Sequence, residues 1–435
     1  MHIQKLTLKN FRCFDQIEID FHPDLTVLVG ANGSGKTSIM EGIAIAISTI
    51  FVKMDGLSGR SIDKSQARLR SFSMGSTKDI QPQYPVTVEA EAVVKSGTLQ
   101  WERSLNKSTG STTMGKANEM IDLGIRFQKH LRDGDADLIL PVIAYYGTGR
   151  LWDYHREKQS DIFETNNRMN GYINCVDGTA NIKLMMNWFS KMTIQKYQNQ
   201  ELDLGGIPEL EAVYSAMETC YKKITGSEDV KMQYNVGTKE LEVAYRDESG
   251  KWMRMPINQL SDGYKSTISL VADIAYRMAV LNPQLLGNVC KETDGIILID
   301  EIDLHLHPTW QQRIIDDLRE IFPKVQLIVS THAPAVISTV KSENIVMLDG
   351  GRAYEPSGEV HGKDTNTIIS GIMHSSERPV EIKRLFQQFY RFIDEENVVD
   401  AEETLGQLKG MIGEDDSEIV GCNVKLKLLK FRRGK

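Results

Sequence analysis

Residues 30–37 read GANGSGKT and fit the phosphate-binding pattern GxxxxGK[ST] without a mismatch. In such a loop the glycines let the chain fold tightly, so that backbone N–H groups surround phosphate oxygens. Lys36 would bring its cation to the β- and γ-phosphates, and the hydroxyl of Thr37 would bind magnesium. The pattern therefore predicts a site for ATP and Mg²⁺, formed by Asn32, Gly33, Ser34, Gly35, Lys36, Thr37 and Ser38.

Two carboxylates follow a second apolar run. Residues 296–299 are all apolar, and Asp300 and Glu301 come directly after them. Beside a phosphate loop, Asp300 suits magnesium binding and Glu301 suits polarisation of an attacking water, making it a candidate catalytic residue. The alternative is an acidic helix N-cap. His332 ends another apolar run, VQLIVSTH, where a neutral imidazole could contact the γ-phosphate and hold the water. A lone histidine at a strand end is more often structural, but its position thirty-one residues after Glu301, beyond an intervening helix, makes His332 a second candidate catalytic residue.

A third motif, LSDGYKS, occupies residues 260–266 and overlaps the start of a segment with helical spacing at 264–280. Ser261 and Gly263 would then lie at a helix N-terminus, which is a geometry that binds anions. Because the chain already has one phosphate loop, we expect this second anion site to act in trans, over the γ-phosphate held by another subunit. The alternative is an ordinary N-cap by Ser261.

Together, the motifs NFRCF, GANGSGKTS, LSDGYKS, IDEIDLHLHP and STH make the chain resemble ABC-type ATPases of the SMC and RecF kind, within the AAA family. The resemblance covers residues 1–50 and 256–345 and the strand in PVIAYYGTGR. It implies an α/β P-loop NTPase of the ABC/SMC-head type, with a mixed central sheet, an antiparallel β subdomain, a helical insertion and a C-terminal helical tail. It also implies that ATP is sandwiched between two heads.

The same resemblance implies roles for residues outside the phosphate loop. Arg12 would lie near the base or the phosphates, and Asp303 would belong to the loop that crosses the dimer. His305 and His307 would be part of that crossing region rather than metal ligands.

The compact form of the chain excludes some families of the SMC and RecF kind. It has neither a heptad arm nor a zinc-hook CxxC, which disfavours long-armed repair proteins. About a hundred residues follow His332, too few for the nuclease domain of the overcoming-lysogenisation-defect family. PVIAYYGTGR, LSDGYKS and DEIDLHLHPTWQQ look most like the PtuA-like ATPase subunit of Septu-type antiphage defence, which works with a separate HNH nuclease. This chain has no HNH constellation, so any cleavage would be the partner's chemistry.

One departure concerns the loop that couples the nucleotide to the insertion, where ABC ATPases usually carry a glutamine. After PVIAYY the chain reads Gly147-Thr148-Gly149-Arg150. We expect coupling through Tyr146, Thr148 or Arg150 instead, or slow turnover with ATP serving as a switch.

The elements that position these residues follow from the hydrophobic pattern. IQKLTL and QIEIDF alternate as strands do, and the continuously apolar LTVLVG predicts a buried central strand that leads into the phosphate loop. Residues 53–83 are rich in Ser, Gly, Lys and Arg and are predicted to be loop. Further strands are predicted at 86–94, 98–103, 141–146, 230–234, 240–245 and 251–255, and helices at 37–49, 182–192 and 210–221.

These patterns divide the chain into an N-terminal half of the ATPase head (1–150), a helical insertion (151–228), a C-terminal half of the head (229–375) and a helical tail (376–435). The tail carries two apolar stripes at helical spacing, which either pack onto the parent domain or form a docking or oligomerisation surface. The stripes are Leu385, Phe386, Phe389, Phe392 and Ile393, and Leu405, Leu408, Met411 and Ile412.

Composition limits the class of protein. No apolar run reaches the ~18 residues of a membrane span, the N-terminus does not resemble a signal peptide, and the five cysteines are far apart. A cytoplasmic location without membrane contact is therefore expected. A net charge of −8 disfavours coating of nucleic acid by bulk charge. The basic end is either a solvated terminus or a local patch, and comprises Lys425, Lys427, Lys430, Arg432, Arg433 and Lys435.

Three functions are consistent with these observations. The first is a cytoplasmic ABC-type ATPase that dimerises head to head on ATP and Mg²⁺ and controls an HNH nuclease in phage defence, reaching DNA through that complex. The second is a RecF-like repair ATPase that binds duplex DNA by itself, with a dependence on ATP and salt. The third is a scaffold that binds ATP structurally without hydrolysing it.

Overall fold

The computed structural model describes residues 1–74, 77–95, 97–149, 167–178, 182–247, 249–373 and 378–433. The strands are β1 (His2–Phe11), β2 (Phe14–Asp20), β3 (Leu25–Gly30), β4 (Leu69–Met74), β5 (Thr77–Pro82), β6 (Val86–Val94), β7 (Gly97–Leu105), β8 (Val142–Tyr146), β9 (Val230–Asn235), β10 (Glu240–Arg246), β11 (Trp252–Pro256), β12 (Gly295–Ile299), β13 (Val325–Thr331), β14 (Ile345–Asp349) and β15 (Arg352–Tyr354). The helices are α1 (Lys36–Ile47), α2 (Asn118–Arg132), α3 (Ile182–Glu201), α4 (Pro208–Thr225), α5 (Asp262–Leu281), α6 (Val289–Glu292), α7 (Pro308–Gln311), α8 (Ile314–Ile321), α9 (Pro334–Ile337), α10 (Thr365–Thr367), α11 (Val380–Asp394), α12 (Val398–Ile412) and α13 (Ser417–Arg433).

The chain forms two compact units, Met1–Lys363 and Asp364–Lys435. The second unit therefore begins earlier in the chain than the boundary at 376 predicted from the sequence. Among the described residues, no helix is both long enough and apolar enough to cross a bilayer.

A six-stranded sheet forms the centre of the first unit, in the order β15-β14-β3-β13-β12-β8. All neighbours are parallel except β15, which is antiparallel to β14. Every residue of β3, β8, β12 and β13 is buried, as the continuous apolar runs predicted. Because these four strands are parallel, their carboxyl ends meet at one edge, where open α/β sheets bind ligands.

A four-stranded antiparallel sheet, β2-β1-β6-β7, accompanies the central sheet. Its strand β7 is tied to α1 by the indole N–H of Trp101, which donates to the carbonyl of Ala46 at 3.0 Å. The end of β1 delivers Arg12 to the same region as the phosphate loop. The predicted α/β fold with a mixed central sheet and an antiparallel subdomain is therefore confirmed.

The prediction that residues 53–83 are loop is wrong, because β4 and β5 form a hairpin there. Every residue of both strands is exposed except Asp79, which is half-buried. A strand pair without a buried face has no apolar alternation, so the pattern carried no strand signal. The hydrophobic pattern also did not predict helix α2. One face of it is buried through Met120, Ile121 and Leu123.

The helices predicted at 182–192 and 210–221 are present as the longer α3 and α4, and β9, β10 and β11 form the expected short sheet. In the predicted insertion, residues 151–166 and 179–181 lie outside the described residues. The α3–α4 pair is held partly by stacking of Phe189 on Tyr214, with ring centroids 5.5 Å apart.

The second unit corrects the interpretation of the apolar tail. The stripes of α11 and α12 face each other and α13, and form a core of their own through Phe389, Leu405, Leu408, Ile419 and Cys422. Met411 is the exception, because half of its surface is exposed. The stripes therefore supply the interior of a three-helix unit, an outcome that neither alternative anticipated.

Candidate nucleotide-binding site

A cavity of about 660 Å³ opens at the carboxyl edge of the central sheet, within the size range of small-molecule sites. The predicted residues that line it are Arg12, Asn32, Gly33, Gly35, Lys36, Thr37, Ser38, Glu301 and His332. They come from the segments that follow β1, β3, β12 and β13, so residues 12–38 and 301–332, far apart in the sequence, contribute to one site.

The phosphate loop needs its glycines. Gly33 and Gly35 have φ angles of 82° and 101°, in the left-handed region that favours glycine. A β-carbon on Gly35 would also lie 2.2 Å from the ring of Phe14. The hydroxyl of Ser34 is buried without a hydrogen-bond partner among the described residues. Such an orphaned group fits a loop that closes on an anionic ligand.

Lys36 is almost fully buried at the start of α1. Its Nζ donates to the carbonyl oxygens of Gly30 at 2.9 Å and Ala31 at 3.1 Å. Burial lowers the pKa of Lys36, while the carboxylates of Asp300, Glu301 and Asp303 act in the opposite direction. The loop therefore contains a pre-positioned ammonium group with donors suited to phosphate.

The oxygens expected to hold magnesium lie side by side. Thr37 Oγ1 donates to Asp300 Oδ2 at 2.7 Å, and Ser330 Oγ donates to Asp300 Oδ1. Asp300 is buried at the end of β12, where it is held in place by these contacts. A hydroxyl beside a carboxylate is an oxygen donor set of the kind Mg²⁺ prefers. The residues present thus fit the predicted ion.

Glu301 lines the cavity next to this pair. Its φ of 48° is left-handed, an uncommon conformation for a non-glycine residue that often occurs at functional sites. Its backbone N–H donates to Ser330 Oγ at 2.8 Å, which fixes the turn after β12. The chain conformation therefore presents Glu301 to the cavity directly after the buried Asp300.

His332 lines the cavity from the end of β13. Burial lowers its pKa, the cation of Lys36 adds to that effect, and the carboxylates of Asp303, Glu301 and Asp300 oppose it. Because the net shift is downward, the imidazole is neutral at pH 7. A neutral ring can both accept and donate a hydrogen bond.

Arg12 also lines the cavity, with its guanidinium held by Glu41. Arg12 Nε lies 3.1 Å and Nη2 2.8 Å from Glu41 Oε2, and Gln66 donates to the same oxygen. No motif in the sequence predicted Glu41 as part of the site. The sequence also did not indicate four further lining residues, Cys13, Ser65, Ala67 and Leu69. Only the position of Cys13 beside Arg12 could have suggested it, since the other three lie in the segment predicted to be loop.

The structure does not bring Ser261, Gly263 or Asp303 to the lining of this cavity. Ser261 is exposed at the N-cap position of α5, and its side chain makes no capping hydrogen bond. Gly263 is buried, and a β-carbon there would lie 2.6 Å from the carbonyl oxygen of His305. Asp303 accepts a hydrogen bond from Thr331 Oγ1 at 2.6 Å.

A buried polar network lies directly before the loop that lacks a glutamine, at the end of β8. Tyr146 Oη donates to Asp273 Oδ2 at 2.7 Å, and Arg277 Nε donates to the same oxygen at 2.8 Å. The carbonyl of Tyr146 accepts from the backbone N–H of Asp300 at 2.8 Å. Of the other coupling candidates, Thr148 is exposed, and Arg150 lies outside the described residues. The network joins the end of β8, beside Asp300, to helix α5, which follows Ser261.

Several known proteins are similar to this chain. The Retron Ec83 probable ATPase of Escherichia coli is 26% identical, over 98% of this chain and 86% of that protein. The Retron Vc95 probable ATPase of Vibrio cholerae serotype O1 biovar El Tor is 26% identical, over 87% of this chain and 80% of that protein. The Septu protein PtuA of Bacillus thuringiensis is 30% identical, over 32% of this chain and 37% of that protein.

Among solved structures, an SMC head bound to the C-winged helix domain of ScpA covers 83% of this chain and 98% of that chain, with 18% identity and a TM-score of 0.47. Residues 214–338 match a family model described as an AAA domain, putative AbiEii toxin, Type IV TA system. Residues 5–225, half of the chain, match the model described as an AAA domain. This chain therefore belongs to the AAA domain family.

Proposed function

We propose that this chain is an ABC-type ATP hydrolase whose turnover requires a second copy of itself, and that it controls a nuclease partner in antiphage defence. The observation that carries the proposal is the convergence of Lys36, Thr37, Glu301 and His332 on one cavity, with Asp300 bonded to Thr37 beside it. Phosphoryl transfer to water needs a cradle for the phosphates, charge neutralisation and a group that orients the water.

The site contains candidate residues for binding the phosphates, for neutralising their charge and for orienting the attacking water. The backbone amides of the loop and the cation of Lys36 hold the β- and γ-phosphates. Thr37 and Asp300 would hold Mg²⁺, which supplies further neutralisation of phosphate charge. Glu301 accepts a proton from the attacking water, and neutral His332 donates a hydrogen bond to the γ-phosphate.

The need for a second copy is supported by the exposed turn at Ser261. An uncapped helix N-terminus leaves backbone N–H groups available to an anion. Helix α5 is 20 residues long and begins one residue after Ser261. Since this turn does not line the cavity of its own chain, we propose that it contacts the γ-phosphate bound by a second copy.

Regulation of a nuclease is supported by the similarity to retron and Septu proteins. We propose a separate HNH nuclease as the partner, with DNA engaged by the complex. The test is co-expression of the chain with a candidate HNH nuclease, followed by size-exclusion chromatography. Elution of the two proteins separately, with nuclease activity unaffected by the chain, would contradict this part of the proposal.

The hydrolase proposal is tested with two variants. We expect Lys36→Ala to weaken ATP binding by at least about 100-fold, because a buried charge-assisted contact to phosphate is lost. We expect Glu301→Gln to retain ATP affinity and to lower turnover by about 10²–10⁴-fold, as is typical when a general base is removed.

The measurements are titration with a fluorescent ATP analogue and steady-state phosphate release. Lys341→Ala, which removes an exposed surface lysine, is the control and should behave as the parent protein. Unchanged nucleotide affinity in the Lys36 variant would refute the assignment of this site, and unchanged turnover in the Glu301 variant would refute its catalytic role.

A further inference from the structure

The hairpin β4–β5 stands beside the mouth of the nucleotide cavity. Its base is fixed to the end of β1, since Arg12 N–H donates to Gln66 O at 2.7 Å and Arg68 N–H donates to Asn10 O at 2.9 Å. Leu69, the first residue of β4, lines the cavity together with Arg12. The hairpin therefore starts at the wall of the site and continues away from it.

Beyond its base, the hairpin has little support from its own chain. Within the described residues it is a two-stranded sheet that pairs with no further strand. Four large apolar side chains on it are exposed: Leu69 by 65%, Phe72 by 39%, Met74 by 64% and Ile80 by 57%. Phe72 and Met74 share one face, and Leu69 and Ile80 share the other.

We expect the exposed apolar side chains of the β4–β5 hairpin to pack against another protein surface. Two strands alone are marginally stable in water, and an open strand edge bearing apolar side chains invites pairing with another chain. Exposed apolar clusters that border a polar site commonly mark protein–protein contacts. Because the exposed apolar side chains of the hairpin lie at the mouth of the cavity, a protein that closes over the cavity would also contact them.

The proposed function already requires a second copy at this mouth, with its Ser261 over the phosphates. In that copy β11 precedes Ser261, and the chain from Met253 to Ser261 can span at most about 28 Å. Trp252 and Met253 on β11 are 46% and 41% exposed, and within the described sheet β11 is paired on one side only. The exposed apolar edge of β11 therefore lies close in the chain to the turn at Ser261 that would close the site.

We propose that the β4–β5 hairpin is a dimerisation element, which packs against β11 of the second copy when ATP brings the two heads together. This proposal rests on the proposed function, because ATP is what aligns the two surfaces. The hairpin would give the closed dimer apolar contact area outside the nucleotide itself.

The test uses the full chain carrying Glu301→Gln, so that bound ATP persists. Met74→Glu with Ile80→Glu places charge on both faces of the hairpin without touching the lining of the cavity. We expect ATP-dependent dimerisation, measured by sedimentation velocity, to weaken at least about tenfold, while the affinity for a fluorescent ATP analogue stays within twofold. Leu202→Glu, at a site 70% exposed after α3, is the matched control and should dimerise normally.

A charge pair tests the contact directly. Ile80→Lys and Met253→Glu should each weaken the dimer alone, and an equimolar mixture should dimerise more tightly than either, because each mixed dimer joins one Lys–Glu pair and one native contact. Dimerisation that is unchanged in the hairpin variants, or a mixture that behaves as the average of its components, would overturn the hairpin proposal alone. Absence of any ATP-dependent dimer in Glu301→Gln itself would instead overturn the proposed function.

Discussion

The buried network of Tyr146, Asp273 and Arg277 gives the sharpest stability prediction. Asp273 is fully buried and the side chain of Arg277 is 2% exposed, with 2.8 Å between Arg277 Nε and Asp273 Oδ2. Asp273→Ala leaves the guanidinium buried, with the carbonyls of Gly171 and Ile173 as partners but no opposing carboxylate in this network. Breaking a buried pair in this way costs about 3–5 kcal/mol.

Tyr146→Phe removes only the hydroxyl that donates to Asp273, and the loss of a hydrogen bond to a charged group costs about 1.5–3 kcal/mol. In the Asp273→Ala background the same change should cost much less, because its acceptor is already gone. The assay is urea unfolding followed by circular dichroism, for the two single variants and the double variant.

An exposed acid provides the control. Asp55→Ala breaks a surface pair with Arg132, and should change the free energy of unfolding by at most about 1 kcal/mol. A cost below about 1 kcal/mol for Asp273→Ala, or an equal cost of Tyr146→Phe in both backgrounds, would refute a stabilising role for this buried pair. A positive result would show that these hydrogen bonds stabilise the packing of the end of β8 against helix α5.

Three further predictions concern the site and the tail. Gly35→Ala should weaken ATP binding at least about tenfold more than Gly33→Ala, because only the Gly35 β-carbon meets a neighbour, and equal affinities in a fluorescent titration would contradict this. His332→Ala should lower phosphate release by about 10²–10³-fold with ATP affinity changed only a few fold, and a loss confined to affinity would exclude the proposed contact with the γ-phosphate. Leu408→Ala should destabilise the tail unit by about 2–5 kcal/mol in hydrogen exchange, whereas Met411→Ala should cost less than about 1 kcal/mol, and similar protection in both variants would argue against the core formed by α11, α12 and α13.

The strands that carry the site were predictable because burial on both faces leaves a clear signal. β3 and β12 are predominantly apolar, β13 is apolar at 327–329, and the segments that follow all three strands contribute residues to the cavity. A phosphate loop has a fixed spacing, since its geometry depends on backbone amides and on glycines at set positions. Local sequence was therefore sufficient for these parts.

Other parts depend on contacts that no local pattern records. Glu41 meets Arg12 from a different element, and its type and spacing match no motif. The β4–β5 hairpin lacks the alternation that marks a strand, since it has no buried face in this chain. In the tail, the stripe of Phe389 and the stripe of Leu408 were recognised as apolar, but spacing alone could not show that they bury each other.

The order of the central sheet has a consequence for synthesis of the protein on the ribosome. The strand before the phosphate loop, β3, lies between β13 and β14, which emerge last of the central parallel strands. At 5–20 residues per second, roughly 15 to 60 s pass between the appearance of β3 and that of β14. Until β13 has emerged, β3 lacks both of its neighbours in the sheet, so we expect a chain released before that point not to form the ATP site. We therefore expect nucleotide binding only in chains long enough to include β13, the strand that precedes His332.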